Sequence, residues 1–194
     1  VGVGPAGLTA AFQLMQAGYH VTIFDSLPVA GGMLKVGIPT YRLPRNVLEH
    51  EINYICSLGA DVHLNTPIGR DGGPNLDDLR QQYDAVFVAI GAHGSSLLGV
   101  PGEELNGVYQ ALPFLRDLNL GRPVELGKRV AVIGGGNSAI DAARCAVRLG
   151  SEVHLLYRRS RTEMPAAPYE VAAAEDEGVK LNFLIAPVRV VEQE

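Results

Sequence analysis

The chain has 194 residues, with 16 basic against 21 acidic side chains and a formal net charge of -5, a balance that excludes a surface built to hold nucleic acid or another polyanion. Its 47% hydrophobic and 19% charged content is that of a folded chain forming one large or two small domains. The longest apolar runs, such as Ala85 to Ile90, fall far short of the roughly 18–20 residues that cross a bilayer, so no membrane span is expected.

In chain order, the first element is a glycine turn, Gly2-Val-Gly-Pro-Ala-Gly7, opening a helix that stops at Gly18 and leads into an apolar strand, Val21 to Phe24. Asp25 closes that strand, and Gly31-Gly32-Met33-Leu34 follows as a second place of close backbone approach. Leu48, Ile52 and Ile55 share one face of a helix expected over 44 to 58; a strand near Asp61 to Asn65 and a short helix near Leu76 to Gln82 come next. Asp84 to Gly91 reads as a buried strand ending in glycine. Arg129 to Ile133 is again a strand, followed by Gly134-Gly-Gly-Asn-Ser-Ala139, a helix, Gly150 and the strand Val153 to Leu156.

The second series repeats the first at an offset of 132 residues: Gly4 matches Gly136, Gly7 matches Ala139, Gly18 matches Gly150 and Val21 matches Val153. Two βαβ units account for this. In such a unit the first glycine permits the turn, the second lets backbone approach a pyrophosphate, and the third position keeps helix and strand close. The helix start then offers unpaired N–H groups and a partial positive charge to phosphate. Only Val1 precedes Gly2, whereas five strand residues precede Gly134, so the first strand, with any targeting sequence, is expected upstream.

The end of the second strand of each unit reaches the adenosine ribose, where a carboxylate accepts hydrogen bonds from its hydroxyls. Asp25 stands there in the first unit; the equivalent position in the second is Tyr157, followed by Arg158, Arg159 and Arg161. A carboxylate repels a ribose 2'-phosphate, whereas guanidinium groups donate to it in forked, charge-assisted pairs. NADPH is therefore expected in the second unit, the alternative being a solvated strand end whose arginines pair with acids of a neighbouring helix. Cys56 and Cys145 form neither a CxxC pair nor a zinc pattern, and buried thiols in a reducing, cytoplasmic setting are expected. His20, His50, His63, His93 and His154 are scattered, so no catalytic or metal-ligating side chain is assigned.

GVGPAGL at 2 to 8, GGMLKVGIPTYRLP at 31 to 44, DAVFVAIGA at 84 to 92, GVPGEELNGV at 99 to 108, GGGNSAIDAAR at 134 to 144 and YRRSRTEMPA at 157 to 166 together resemble the glutamate synthase small-subunit family of flavoproteins. That family takes in the amino-terminal flavoprotein part of dihydropyrimidine dehydrogenase and subunits of electron-bifurcating transhydrogenases. The resemblance implies an α/β fold of two Rossmann-like dinucleotide-binding domains with three-layer parallel-sheet cores: an FAD domain over 1–104 and an inserted NADPH domain over 105–194.

It further implies that Gly2, Gly4, Pro5, Ala6 and Gly7 cradle the FAD pyrophosphate and Asp25 its ribose, with Gly32, Met33, Arg42, Ile68 and Gly91 on other parts of FAD. Arg42 has an equal alternative as a helix-start salt bridge, for instance to Glu49. Gly134, Gly135, Gly136, Asn137 and Ser138 hold the NADPH pyrophosphate, and Arg158 and Arg159, with Arg161 less directly, its 2'-phosphate. The expected reaction carries hydride from NADPH to FAD, and electrons then go to an electron-accepting partner subunit or to iron–sulfur clusters. Such clusters are expected only on an upstream segment or on that partner. A dihydropyrimidine dehydrogenase-like or transhydrogenase subunit, or a non-catalytic NADPH-binding module, remains as the alternative.

Overall fold

The structure is a computed structural model that describes residues 1–70 and 72–192. It divides into two units, Val1–His93 and Gly94–Glu194, built around parallel sheets of two and three strands respectively, whose neighbours need crossover connections rather than hairpins.

In the first unit, helix α1 (Pro5–Gln16) begins on Gly4 with proline in its first turn, where the missing N–H costs nothing. Strand β1 (Thr22–Phe24) follows, then the single-turn α2 (Met33–Val36), α3 (Arg45–Ser57), β2 (Asp61–His63) and α4 (Leu76–Gln82). β1 and β2 pair in parallel, with Ile23 opposite Val62. Leu48 and Ile52 of α3 are buried with Val3, Leu8, Ala11 and Ile23, as the spacing of apolar residues along that helix requires. The start of α4 is set by a capping box: Asp78 N–H donates to Asn75 Oδ1 at 2.9 Å and Asn75 N–H to Asp78 Oδ2 at 2.8 Å.

The expected buried strand at 84–91 is corrected. No strand forms there, and Phe87, Val88 and Ile90 are 55%, 52% and 63% exposed. The Val1 amino group donates to Phe87 O at 2.6 Å, and Ala89 N–H donates to Val1 O at 2.7 Å.

In the second unit, α5 (Ala111–Asn119) precedes β3 (Arg129–Ile133), α6 (Asn137–Arg148), β4 (Glu152–Tyr157), a 3₁₀ turn (Arg161–Glu163), α7 (Pro168–Asp176) and β5 (Lys180–Phe183). The sheet has the order β3-β4-β5, all parallel, with Val130 opposite Val153 and Leu155 opposite Leu181. Ala139, Ala143 and Ala146 let α6 close on the sheet, where Ile140, Val153 and Leu155 are fully buried. This short-side-chain face is what allows near-crystalline packing of helix on strands.

A charged lattice ties α6 to α7. Arg144 Nη1 donates to Glu170 Oε2 at 2.6 Å, and its Nη2 donates to Glu177 Oε1 at 2.7 Å. Arg148 Nη2 donates to the same Glu177 oxygen at 2.6 Å. Arg144 and Glu170 are almost wholly buried, a placement tolerable only because each charge has a partner. Hydrogen bonds from Arg148 and then Arg144 pull the Glu177 carboxyl down to about 2.

Candidate functional site

Each unit has a glycine turn that opens a long helix directly after it: the Gly2–Gly4 turn opens α1, and the turn that follows β3 opens α6. In the first unit the turn is drawn tight on itself. Gly2 has φ +104, and a Cβ there would lie 2.2 Å from Ala89 O; one on Gly7 would lie 1.8 Å from Gly2 O. Both positions need glycine for the fold alone. Gly32, at φ +53, presses its own backbone on the turn, because a Cβ would come 2.7 Å from Gly4 Cα. The 31–34 segment therefore sits against the first glycine turn, with Met33 half-buried at the start of α2.

Asp25 also has a structural part that the sequence reading did not include. Its Oδ2 accepts from Val3 N–H and its Oδ1 from Leu27 N–H, both at 2.8 Å. The carboxylate thus straps the end of β1 to the glycine turn, while each oxygen retains a lone pair for a further donor. Arg42 lies half-buried in the turn before α3, with Glu49 bonded to Lys35. Ile68 is half-buried in a turn after β2; Gly91 is exposed with φ +70. Neither is brought to the glycine turn by any hydrogen bond described.

In the second unit Gly134 has φ +137, and a Cβ on Gly135 would lie 2.6 Å from Tyr157 Cε2, so the turn rests on that ring. Gly136 is unlike them. It caps α6 at φ -90, and a Cβ there would meet no atom within 4 Å. Gly4, its counterpart, has φ -79, and a Cβ there would make only an ordinary contact at 3.7 Å. Neither strain nor crowding within the chain demands glycine at these two positions. The first turns of α1 and α6 carry no acidic residue and no side-chain cap, the condition under which a helix start can take an anion.

At the end of β4, Arg158 and Arg159 are exposed, and neither forms an ion pair with an acid among the described residues. Arg161 is committed elsewhere: its Nη1 donates to Glu175 Oε1 at 2.7 Å and its Nη2 to Glu175 Oε2. That pair pulls the Glu175 carboxyl below its usual range. The carboxyl of Glu163 is lowered chiefly by donation from the Ser160 hydroxyl and backbone, and secondarily by Arg159. Ser160 and Glu163 make a capping box that the S-x-x-E spacing announces. Less legible is Asn137, whose Oδ1 accepts from Ala167 N–H at 3.1 Å. Ser138 is exposed in the first turn of α6.

Two parallel βαβ units with paired glycine turns and bare helix starts define a Rossmann-like α/β protein of the nucleotide-binding class. The chain belongs to the pyridine nucleotide-disulphide oxidoreductase family, which it matches over residues 1–194. It is 56% identical over 195 residues to the NADP(+)-dependent formate dehydrogenase subunit beta of Moorella thermoacetica, covering 98% of this chain and 27% of that protein. To the glutamate synthase [NADPH] small chain of Escherichia coli it is 38% identical over 202 residues, covering 98% of this chain and 42% of that one. The resemblance read from the GIPTYRLP and YRRSRTEMPA segments is thereby borne out. The chain thus spans well under half the length of either relative. Among solved structures, FprA, a Mycobacterium tuberculosis oxidoreductase described with a covalently modified NADP+, superposes with a TM-score of 0.75 at 23% identity, over 90% of this chain and 46% of that one.

Proposed function

We propose that this chain is the FAD- and NADPH-binding part of a flavoprotein oxidoreductase that exchanges electrons between NADPH and a partner subunit. The observation that carries the reading is the pair Gly4 and Gly136: both lack a side chain where backbone angle and space within the chain would accept one, which fits room kept for a dinucleotide pyrophosphate. Gly2, Gly4, Pro5, Ala6, Gly7, Gly32 and Met33 would hold FAD, with Asp25 offering its remaining lone pairs to the ribose, and Arg42, Ile68 and Gly91 at its margins. Gly134, Gly135, Gly136, Asn137 and Ser138 would hold NADPH, with Arg158 and Arg159 on the 2'-phosphate. The domain division at 1–104 and 105–194 belongs to the same reading.

When both cofactors are bound, they supply the hydride chemistry, and the chain contributes position and charge. The two exposed arginines, neither held in an ion pair among the described residues, favour the phosphorylated dinucleotide over the plain one. Identity is higher to the formate dehydrogenase beta subunit than to the glutamate synthase small chain, which favours a beta-subunit electron-transfer role over the glutamate synthase assignment. Iron–sulfur clusters would lie outside this chain, on further sequence or a partner, and the compartment would be the cytoplasm. Among the described residues no helix is long and apolar enough to cross a membrane.

The test is anaerobic mixing of the full-length protein with NADPH or NADH while the flavin absorbance is followed. Bleaching by NADPH at least tenfold faster than by NADH is expected, and Arg158→Gln with Arg159→Gln should erase most of that ratio. Equal rates with the two nucleotides in the unaltered protein refute the assignment; saturable NADPH binding without bleaching replaces it with a binding module.

A further inference from the structure

The segment that carries Arg158 and Arg159 is held on both sides. Behind it, the Tyr157 ring lies under Gly135, and the Tyr157 hydroxyl donates to Glu163 O at 2.9 Å. Ahead of it, Ala166 N–H donates to Gly135 O at 3.0 Å and Ala167 N–H to Asn137 Oδ1 at 3.1 Å. Across the sheet, Leu184 N–H donates to Arg159 O at 3.3 Å. Residues 158–167 therefore form a brace closed upon the glycine turn, with the two arginine side chains left outside it. Ordering two long guanidinium chains on binding costs rotamer freedom in any case, and a backbone already in place spares the further cost of ordering the loop that carries them. Of the bonds that close the brace, one comes from a side-chain group that no role yet described requires: the phenolic O–H, on a residue only 8% exposed.

We infer that the Tyr157 hydroxyl, by closing this brace, is a positioning group that sets the preference for a 2'-phosphorylated nucleotide. The inference rests on the reading of Arg158 and Arg159 as the 2'-phosphate contacts. With its hydroxyl spent on Glu163 O and its ring under Gly135, Tyr157 would act through the two arginines. Removing its hydroxyl releases Glu163 O and lets the loop sample other positions, a loss felt only by a ligand that uses the arginines. A part-buried neutral hydrogen bond of this kind corresponds to roughly a three- to tenfold change in an equilibrium constant.

The experiment is calorimetric titration of the full-length protein and its Tyr157→Phe variant with 2',5'-ADP and with 5'-AMP. The expected result is a three- to tenfold loss for 2',5'-ADP in the variant, less than twofold for 5'-AMP, and no further loss when Tyr157→Phe is added to Arg158→Gln/Arg159→Gln. Faster amide exchange over Glu163–Ala167 in the variant should accompany it. Equal losses for both ligands, no loss for 2',5'-ADP, or an undiminished effect in the arginine-free background overturns the inference. If the unaltered protein does not prefer 2',5'-ADP, the reading of the arginines fails and takes this inference with it; if it prefers 2',5'-ADP and Tyr157→Phe retains that preference in full, only the inference fails.

Discussion

Replacing Glu177 by Gln tests the charged lattice between α6 and α7. In the folded chain this carboxylate receives Arg144 and Arg148 together, and its pKa falls from 4.5 to about 2. Such a displacement corresponds to about 3 kcal/mol in favour of the charged, folded form. The Glu177 side chain keeps 24% exposure and that of Arg148 49%, so solvent screening leaves about 1–2 kcal/mol as the net stabilisation. Folding lowers this pKa; the stabilisation is therefore complete above about pH 4.5 and drains away as the pH falls through the folded value near 2. Urea unfolding of wild type and Glu177→Gln should differ by about 1–2 kcal/mol at pH 7, with the gap narrowing below pH 4.5 and nearly closed by about pH 2. A gap of the same size at pH 7 and at pH 2.5, or none at pH 7, refutes the electrostatic account and leaves the lattice as packing alone.

Gly136→Ala should leave thermal stability within about 1 kcal/mol, because a Cβ meets nothing within 4 Å, yet weaken NADP+ binding at least tenfold in a fluorescence titration. Gly7→Ala should instead prevent the first unit from folding, since the added carbon would sit 1.8 Å from Gly2 O; loss of soluble expression or of a cooperative melt is the readout. Arg161→Gln should keep 2',5'-ADP affinity within twofold, as its guanidinium is already spent on Glu175, and a larger loss in the same titration would restore it to the phosphate site.

The repeat was legible in the sequence because a glycine at positive φ, such as Gly2 or Gly134, is forced by backbone geometry and leaves a spacing that survives in the letters. The helix at 76–82 was legible from its apolar spacing, whereas the Asn75–Asp78 capping box that fixes its start is a finding of the structure. The 84–91 segment misled because apolar character alone does not make a strand; an adjoining one must face it. The strap made by Asp25, the ring of Tyr157 beneath Gly135 and the pairing of Arg161 with Glu175 depend on which backbone groups come near through space. No local pattern encodes the first two meetings; the third is the alternative the sequence left open, an arginine past the strand end pairing with an acid of the neighbouring helix.

The unequal crowding of the two turns also makes the loops non-interchangeable. A methyl group occupies the third position at Ala139, whereas the same group at Gly7 would collide with a carbonyl oxygen. Grafting the third-position alanine into the amino-terminal turn should be lethal to it, while glycine moved the other way is accommodated.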